Sequence, residues 1–505
     1  MPGFFVENFG CRATQADGAA LERQFEEQGL LRAAAPAQAS VVVLNTCTVT
    51  TGADQDARAA IRRVRRQNPE AKIIVTGCYA QRAPEEIAAL PGVSLVIGNS
   101  HKHQLAEIAL SSRVSSHLPP SFVPLSGLTE NAQLTTDHSI FVSDIFAHTE
   151  LLAAPVFDAA NERTRPNLKI QDGCDNRCSF CVIPYVRGQS RSLQLNRIIA
   201  EVNTLVESGY REVVISGINL GRWGRDLEIA STHVGTAALG CPGEQGSPAS
   251  LVHLVRAILD ETSLEKLRIS SVEPMDWSDA LIDQVATSPR IAKHAHVPMQ
   301  SGSDAVLRRM HRKYRPWHYR EKVEKIHSAM PQAAIGADVM VGFPGETDSE
   351  FEETRQMIVD LPFTYLHVFT YSARPGTPAA SMPNQVPVHI ARERNRILRE
   401  LASEKKLAFM RTFIGKSLEA ITLNVVGNDA DGEFTEALTD NYLKLRLRGR
   451  HEPNAWIHGS IDTVSQGILV GAVEASHKLS AIVPEQPFPN NRERAVLQGR
   501  AQSHP

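Results

Sequence analysis

No stretch of this sequence approaches the roughly eighteen uninterrupted apolar residues of a membrane-spanning helix, so no span is expected. The opening Met-Pro-Gly-Phe-Phe-Val-Glu-Asn lacks both a basic start and a long apolar core. No signal peptide is therefore expected, and the chain reads as cytoplasmic. A charge excess is also missing. With a net charge of −3 over 505 residues, any contact with nucleic acid has to be local. Cysteine is scarce and odd in number, at seven, which fits reduced cytosolic thiols and metal ligation better than a disulfide framework. What remains, 42% hydrophobic and 22% charged residues, is ordinary for a soluble chain with several domains and ample core.

What is present is a thiol triplet, Cys174-Asp-Asn-Arg-Cys178-Ser-Phe-Cys181, just after the apolar run Leu168 to Ile170. Three thiols spaced C-x3-C-x2-C can reach three corners of one 4Fe–4S cube. One iron is then left without a protein ligand, and an open metal position is what binds and activates a substrate. The alternatives are a zinc site or inert buried cysteines. Zinc ordinarily takes C-x2-C with a matching Cys or His pair, and no such pair follows within roughly forty residues.

The N-terminal third repeats one grammar. Phe4 to Gly10 runs into Cys11, Ser40 to Thr46 into Cys47, and Lys72 to Gly77 into Cys78, with spacings of 36 and 31 residues between the cysteines. Such spacing predicts βαβ units and hence parallel strands. Parallel strands share one C-terminal edge, where open α/β sheets bind ligands, so the three cysteines should converge on a second metal cluster. A helix is expected over Ala57 to Arg66, whose Arg58, Arg62, Arg63, Arg65 and Arg66 form either a solvated face or a phosphate-contacting one. Ser111 to Arg165, rich in Ser, Thr, Pro and His, reads as a linker or insertion.

After Cys181, helical and apolar β segments alternate, as in a parallel barrel or sheet. Polar or Gly-rich strings recur at the expected strand ends: Ser216-Gly217-Ile218-Asn219, Ser271-Val272-Glu273-Pro274, Met299-Gln300-Ser301-Gly302, and Gly342 to Thr347. That is the face on which parallel barrels place their active sites. Asp226 to Ser250 is a Gly-rich insertion containing Cys241, read as a free surface thiol. Arg308 to Arg320 interleaves cations with Tyr314, Trp317 and Tyr319, suiting either base stacking or a basic helix start. From Lys416 short strands are expected at Leu418–Leu423, Thr435–Arg448 and Ile457–Val473. In Leu443 to Arg448 leucines alternate with Lys444, Arg446 and Arg448, giving one buried face and one basic stripe. The stripe is a candidate RNA-backbone reader or a solvated strand face.

These strings carry a resemblance. Cys174 to Cys181 and its continuation Val182 to Ser192 resemble the signature of radical S-adenosylmethionine (SAM) methylthiotransferases. Phe9-Gly-Cys11-Arg-Ala-Thr-Gln, Asn45-Thr-Cys47-Thr-Val-Thr and Thr76-Gly-Cys78-Tyr-Ala-Gln resemble the family's three N-terminal cysteine motifs. Asn-Thr-Cys-Thr-Val-Thr is similar to the branch acting on N6-threonylcarbamoyladenosine in tRNA. The resemblance implies two 4Fe–4S clusters, one on Cys11, Cys47 and Cys78 and one on Cys174, Cys178 and Cys181. It implies that the open iron of the second chelates SAM, whose one-electron cleavage gives a 5′-deoxyadenosyl radical. Ser216, Gly217 and Asn219 would lie beside the methionine moiety, and Glu273 and Gln300 would contact ribose or carboxylate. Val339 to Phe343, with Val341 at its centre, would flank the adenine. Glu273 can accept both ribose hydroxyls, or instead form a salt bridge to a barrel arginine.

The expected fold is α/β. It comprises a Rossmann-like N-terminal domain (1–111), a linker (112–160), an incomplete (β/α)6 barrel (161–400), a small β-barrel resembling a TRAM domain (401–480) and a disordered tail (481–505). The implied substrate is the tRNA anticodon stem-loop, methylthiolated at C2 of the modified adenosine. The implied partners are an electron donor such as flavodoxin or ferredoxin and a sulfur donor. Methylthiolation of a ribosomal-protein aspartate or of isopentenyladenosine is the alternative chemistry. A non-catalytic iron–sulfur carrier or tRNA-binding module is the alternative of another class.

Overall fold

The computed structural model describes residues 3–111, 140–148, 151, 164–227, 249–429 and 432–474. Cys241, most of the expected linker, residues 228–248 of the insertion and the chain after 474 lie outside these residues.

The N-terminal region runs β1 (Gly3–Asn8), α1 (Arg12–Glu27), β2 (Leu31–Arg32), β3 (Val41–Thr46), α2 (Thr51–Gln67), β4 (Lys72–Gly77), α3 (Cys78–Arg82), α4 (Pro84–Ala88), β5 (Val93–Ile97) and α5 (Leu105–Ser111). A further strand, β6 (Ile140–Phe141), comes from the stretch read as linker and pairs parallel to β5. All six strands are parallel, in the order β2-β1-β3-β4-β5-β6. β3, Val-Val-Val-Leu-Asn-Thr, is buried throughout, as a central parallel strand covered on both faces must be. Its alternate residues feed two cores. Val42 and Leu44 pack with Ile61 and Val64 on one face, and Val41 and Val43 with Phe4, Leu21 and Phe25 on the other. The order reverses between β1 and β3, which opens a crevice beyond their C-terminal ends.

The middle region continues β7 (Asn167–Asp172), α6 (Ile183–Arg187), β8 (Arg191–Ser192), α7 (Leu195–Glu207), β9 (Glu212–Gly217), α8 (Leu251–Glu261), β10 (Lys266–Ile269), α9 (Asp279–Thr287), β11 (His294–His296), α10 (Asp304–Arg309), α11 (Pro316–Ala329), β12 (Ala334–Val341), α12 (Asp348–Asp360) and β13 (Tyr365–Thr370). The strands form two ladders, β10-β9-β7-β8 and β11-β12-β13, joined by single parallel bridges Leu267↔Ile291 and Ser271↔His296. β7, β9, β10, β11, β12 and β13 thus make an open arc of six parallel strands, the expected incomplete barrel. Local signals start its helices: Ser250 and Ser278 cap α8 and α9, and Thr347 with Glu350 forms a capping box on α12.

Strand alternation divides the barrel into two chemistries. Leu168, Ile170, Val213, Ile215, Leu267, Ile269, Ala295, Ile335, Ala337 and Val339 join the helix-side core. Each large aliphatic side chain fully buried there contributes about 1.5–3 kcal/mol, enough to hold the arc without help from its inner face. That inner face is polar: Lys169, Gln171, Glu212, Ser216, Arg268, His296, Asp338 and His367.

The N-terminal unit spans the gap the open arc leaves. α1 packs on β7 and β9, and α3 packs on α6. On the far side Thr51 meets Ser372, just after β13, with backbone N to Oγ at 3.2 Å, and Arg374 donates to Thr48 Oγ1 at 2.8 Å.

After α13 (Val388–Arg411) come β14 (Ser417–Asp429), β15 (Gly432–Thr439), β16 (Lys444–Arg448), β17 (Trp456–Ser465) and β18 (Ile468–Val473), closed as β14-β15-β16-β18-β17. Two stretches expected as single strands are hairpins. Thr435–Arg448 turns at Asp440 to Leu443, where Tyr442 has φ +67°, and Ile457–Val473 turns at Gln466 and Gly467, with φ of +50° and +72°. A Gln-Gly turn with both φ positive matches the twist of a two-residue hairpin.

Candidate active site

Thr46 pairs with Gly77 across β3 and β4, so Cys47 and Cys78 leave the sheet at the same level. Asn8 of β1 pairs with Asn45, which brings Cys11 to that edge as well. The approach is close. Gly10 has φ +101°, and a Cβ on it would lie 2.6 Å from Cys47 Cβ and 2.8 Å from its Sγ; one on Gly77 would lie 2.3 Å from Thr46 O. Only glycine fits before Cys11 and Cys78. Cys47 and Cys78 are buried and Cys11 is exposed, so the trio opens on one side. Burial pushes the Cys47 thiol up to about 12, and Cys78 and Cys11 add to the effect. Asn99 Nδ2 donates to Cys78 Sγ at 3.6 Å and to Val186 O at 2.7 Å.

The second trio sits between β7 and α6. Cys181 N donates to Cys178 O at 3.1 Å, folding the loop back on itself. Burial pushes the Cys181 thiol up to about 12, with Cys178 and Cys174 reinforcing it, and burial also raises Cys174. Asn219 Nδ2 donates to Cys174 Sγ at 3.6 Å and Arg312 Nη1 to Cys178 Sγ at 3.3 Å. The two trios are neighbours. Val182, next in the chain after Cys181, packs with Val186 and Cys78 in one small cluster.

Beside them lies a buried ion network that sequence reasoning missed. Asp17 of α1 contacts Lys102 at 3.0 Å, Arg187 at 3.0 Å and Lys169. Asp172 contacts Lys169 at 2.9 Å, Arg187 at 2.9 Å and Arg191 at 3.9 Å. Four cations face two carboxylates, so positive charge is in excess, and Arg187 bears on Cys78 and Cys11. Buried thiols stay protonated without a compensating cation. A trio of them next to spare positive charge suits metal-bound thiolates, so both sites fit an iron–sulfur cluster.

The remaining expected positions fall on the same rim of strand ends. Ser216 Oγ and Asn219 Oδ1 are buried without hydrogen-bond partners, as a site awaiting a polar ligand would leave them. Glu273 pairs with Arg312, the salt bridge raised as its alternative, and both line a cleft with Cys178, Asn176 and Arg222. Gln300, at φ +62°, exchanges main-chain bonds with β12 through Asp338 O and Met340 N, both at 2.8 Å. The Val341 side chain belongs to the helix-side core, so only its main chain can face a ligand.

Three basic segments are at least partly neutralised. In the Arg308–Arg320 segment, Tyr314 and Tyr319 are core residues that donate to Met299 O and Val297 O, leaving Trp317 as its exposed aromatic. The stacking expectation fails for both tyrosines because their rings complete the barrel core. On α2, Arg58 donates to Tyr79 Oη and pairs with Glu86, and Arg63 pairs with Glu7. On β16, Leu445 and Leu447 are buried as expected, while Lys444, Arg446 and Arg448 face Glu436, Asp429 and Asp462 at 3.6, 3.6 and 2.8 Å. Among the described residues no helix is long and apolar enough to cross a membrane.

Residues 3–98 match a family described as uncharacterized protein family UPF0004, and residues 168–358 match the radical SAM superfamily. The threonylcarbamoyladenosine tRNA methylthiotransferase MtaB of Bacillus subtilis (strain 168) is 34% identical over 443 residues, covering 88% of this chain and 90% of that protein. The MtaB of Aquifex aeolicus (strain VF5) is 34% identical over 448 residues, covering 88% and 97%. The chain belongs to the radical SAM methylthiotransferase family. Members of this family are transferases that use SAM and 4Fe–4S clusters. Another member, the tRNA-2-methylthio-N(6)-dimethylallyladenosine synthase of Novosphingobium aromaticivorans, is 32% identical over 423 residues, covering 83% and 86%. Among solved structures, the radical SAM methyltransferase TsrM from Kitasatospora setae superposes with a TM-score of 0.51 at 14% identity, covering 75% of this chain and 77% of that one. That likeness is one of fold.

Proposed function

We propose that this methylthiotransferase adds a methylthio group to C2 of N6-threonylcarbamoyladenosine beside the anticodon of tRNA. The observation that carries the proposal is the packing of Val182, next after Cys181, against Cys78, which supports reading the two thiol trios as neighbours. The 34% identity to proteins named for that nucleoside supports the substrate. In this reading Cys11, Cys47 and Cys78 hold one 4Fe–4S cluster, and Cys174, Cys178 and Cys181 hold the other. When bound, the clusters and SAM supply the radical and the methylthio group. The chain's own residues do the rest. Ser216, Gly217, Asn219 and Gln300 orient SAM at the strand ends, and Val341 does so through its main chain. Arg312 holds Glu273 toward the same cleft and donates to the Cys178 sulfur. The N-terminal unit closes the open side of the arc and excludes water from the lumen. Lys444, Arg446 and Arg448 take the RNA backbone on a TRAM-like barrel, exchanging their acidic partners for phosphates.

Labour divides accordingly: residues 1–111 carry the auxiliary cluster, 161–400 the SAM chemistry and 401–480 the RNA contact. A flavodoxin or ferredoxin supplies electrons and a separate donor supplies sulfur. Anaerobic reconstitution with tRNA of defined modification state, followed by mass spectrometry of its nucleosides, tests the proposal. The expected product is the 2-methylthio derivative of N6-threonylcarbamoyladenosine. Modification of isopentenyladenosine instead, or of neither, contradicts it.

A further inference from the structure

The thiol trios border one end of the lumen, and its deeper wall has a chemistry of its own. Parallel pairing sets His296 against Gly336 and Asp338 against His367, so β11, β12 and β13 present His296, Asp338 and His367 on one face. His296 Nε2 lies 3.4 Å from Asp338 Oδ1, and one ligand atom of each of the three residues lies within 4.8 Å of the others. His296 is only 8% exposed, and its Nε2 lies beside the Asp338 carboxylate without a well-formed hydrogen bond to it. That pair leaves hydrogen-bonding capacity for a further polar group. His367 is open to the lumen, and Phe369, two residues further along the same face, is 50% exposed.

Arg12 reaches the same wall from the N-terminal unit. It is exposed, follows Cys11 directly, and its Nη2 donates to Tyr442 Oη at 3.3 Å. The Tyr442 ring in turn lies against those of Tyr365 and His294, tilted by 44° and 42°. The positive charges of Arg268 and Arg12 bear on His294, and that of Arg12 bears on His367. Two histidines and a carboxylate could also hold a divalent cation. The Arg12 guanidinium beside them disfavours a cation and favours an anion, whereas Arg268 is already paired with Glu212 at 2.6 Å.

We propose that this wall receives the substituent on N6 of the adenosine. Arg12 takes a carboxylate, Asp338 accepts from a hydroxyl or carbamoyl N–H, His296 and His367 complete the polar contacts, and Phe369 stacks on the base. The inference rests on the reading that the substrate is N6-threonylcarbamoyladenosine, whose substituent brings one carboxylate, one hydroxyl and a urea-like N–H. A dimethylallyl substituent brings none of these. It would leave the buried polar groups dehydrated and unpaired, the situation in which a polar site rejects an apolar analogue most strongly.

The test uses the full chain with reconstituted clusters and synthetic anticodon stem-loops carrying threonylcarbamoyladenosine, isopentenyladenosine or adenosine, with affinity read by fluorescence anisotropy. Wild type should prefer the threonylcarbamoyl loop. Arg12→Gln and His367→Phe should each lose about tenfold or more in affinity for it, as expected for one charge-assisted contact, while binding the adenosine loop within about twofold of wild type. His367→Gln, which keeps a donor, should recover part of the loss, and iron content reports whether each variant folds. If wild type prefers the threonylcarbamoyl loop and both variants keep that preference, the wall is not the pocket and the inference fails alone. If wild type shows no preference, the substrate reading fails and takes the inference with it. One equivalent of zinc bound beyond the cluster iron, and lost in His367→Phe, would overturn the inference in favour of a cation site.

Discussion

A buried thiol resists ionisation, and Cys47 and Cys181 show how far, each pushed up to about 12. Such sulfurs become useful only when a metal takes the proton's place, so the geometry around them is under steric control. Gly10→Ala places a methyl group against Cys47 and forces a φ of +101° on alanine. Iron in the reconstituted chain should fall from about eight to about four per molecule, while the loop of Cys174 still supports SAM cleavage. Iron analysis beside a 5′-deoxyadenosine assay checks this; an unchanged iron content would contradict the shared cluster. All six ligand candidates were legible in the sequence, because Cys174, Cys178 and Cys181 are local in spacing and Cys11, Cys47 and Cys78 repeat one strand-turn-helix grammar. His296, Asp338 and His367 were not. They meet through the registers of three strands, and His294-Ala-His296 reads as a short apolar run until its alternation is placed in a barrel. Glu273 was legible as a charged rim residue, but its pairing with Arg312 depends on a fold-back that spacing does not reveal.

At the level of elements, β16 behaves as its period of two requires, with Leu445 and Leu447 inside and Lys444, Arg446 and Arg448 outside. Each cation that meets a phosphate releases a counterion. Replacing Lys444 and Arg448 by serine should therefore weaken binding of any tRNA and make the slope of log K against log salt shallower by about one for each residue. Titrations at several salt concentrations read the slope directly, and an unchanged slope would make the stripe a merely solvated face. The hairpins around β16 and β18 were marked only by Asp440-Asn441 and Gln466-Gly467, single turn signals inside otherwise strand-like runs, while Tyr442 and Gln466 take positive φ without being glycine. The sixth strand of the N-terminal sheet, β6, was hidden too. Two residues in a Ser- and Thr-rich stretch carry no periodicity.

Over the whole molecule, a buried charge network helps to lock the N-terminal unit to the barrel. Burial alone would raise the Asp17 carboxyl, but Lys102, Lys169 and Arg187 outweigh it and hold it at about 2. Its folded value lies below the unfolded one, so its contribution is complete above about pH 4 and is lost as pH falls toward 2. Asp17→Asn leaves buried cations uncompensated and should cost about 3–5 kcal/mol of docking stability at neutral pH. Limited proteolysis at the boundary between the two units, followed from pH 7 to pH 2 with an acid-active protease at the low end, should show wild type converging on the variant only at the acid end. A variant as resistant as wild type at pH 7 would mean that the network does not hold the units together. None of this lock was readable from the chain, because Asp17 and Lys169 lie 152 residues apart and meet only through the packing of α1 on β7.

The two trios must also be close enough to sense each other, and magnetic resonance measures that. The electron paramagnetic resonance spectrum of the fully reduced protein should be split or broadened relative to the sum of two single-cluster variants, one lacking Cys11, Cys47 and Cys78 and the other lacking Cys174, Cys178 and Cys181. A wild-type spectrum equal to that sum would mean that the clusters do not face one lumen.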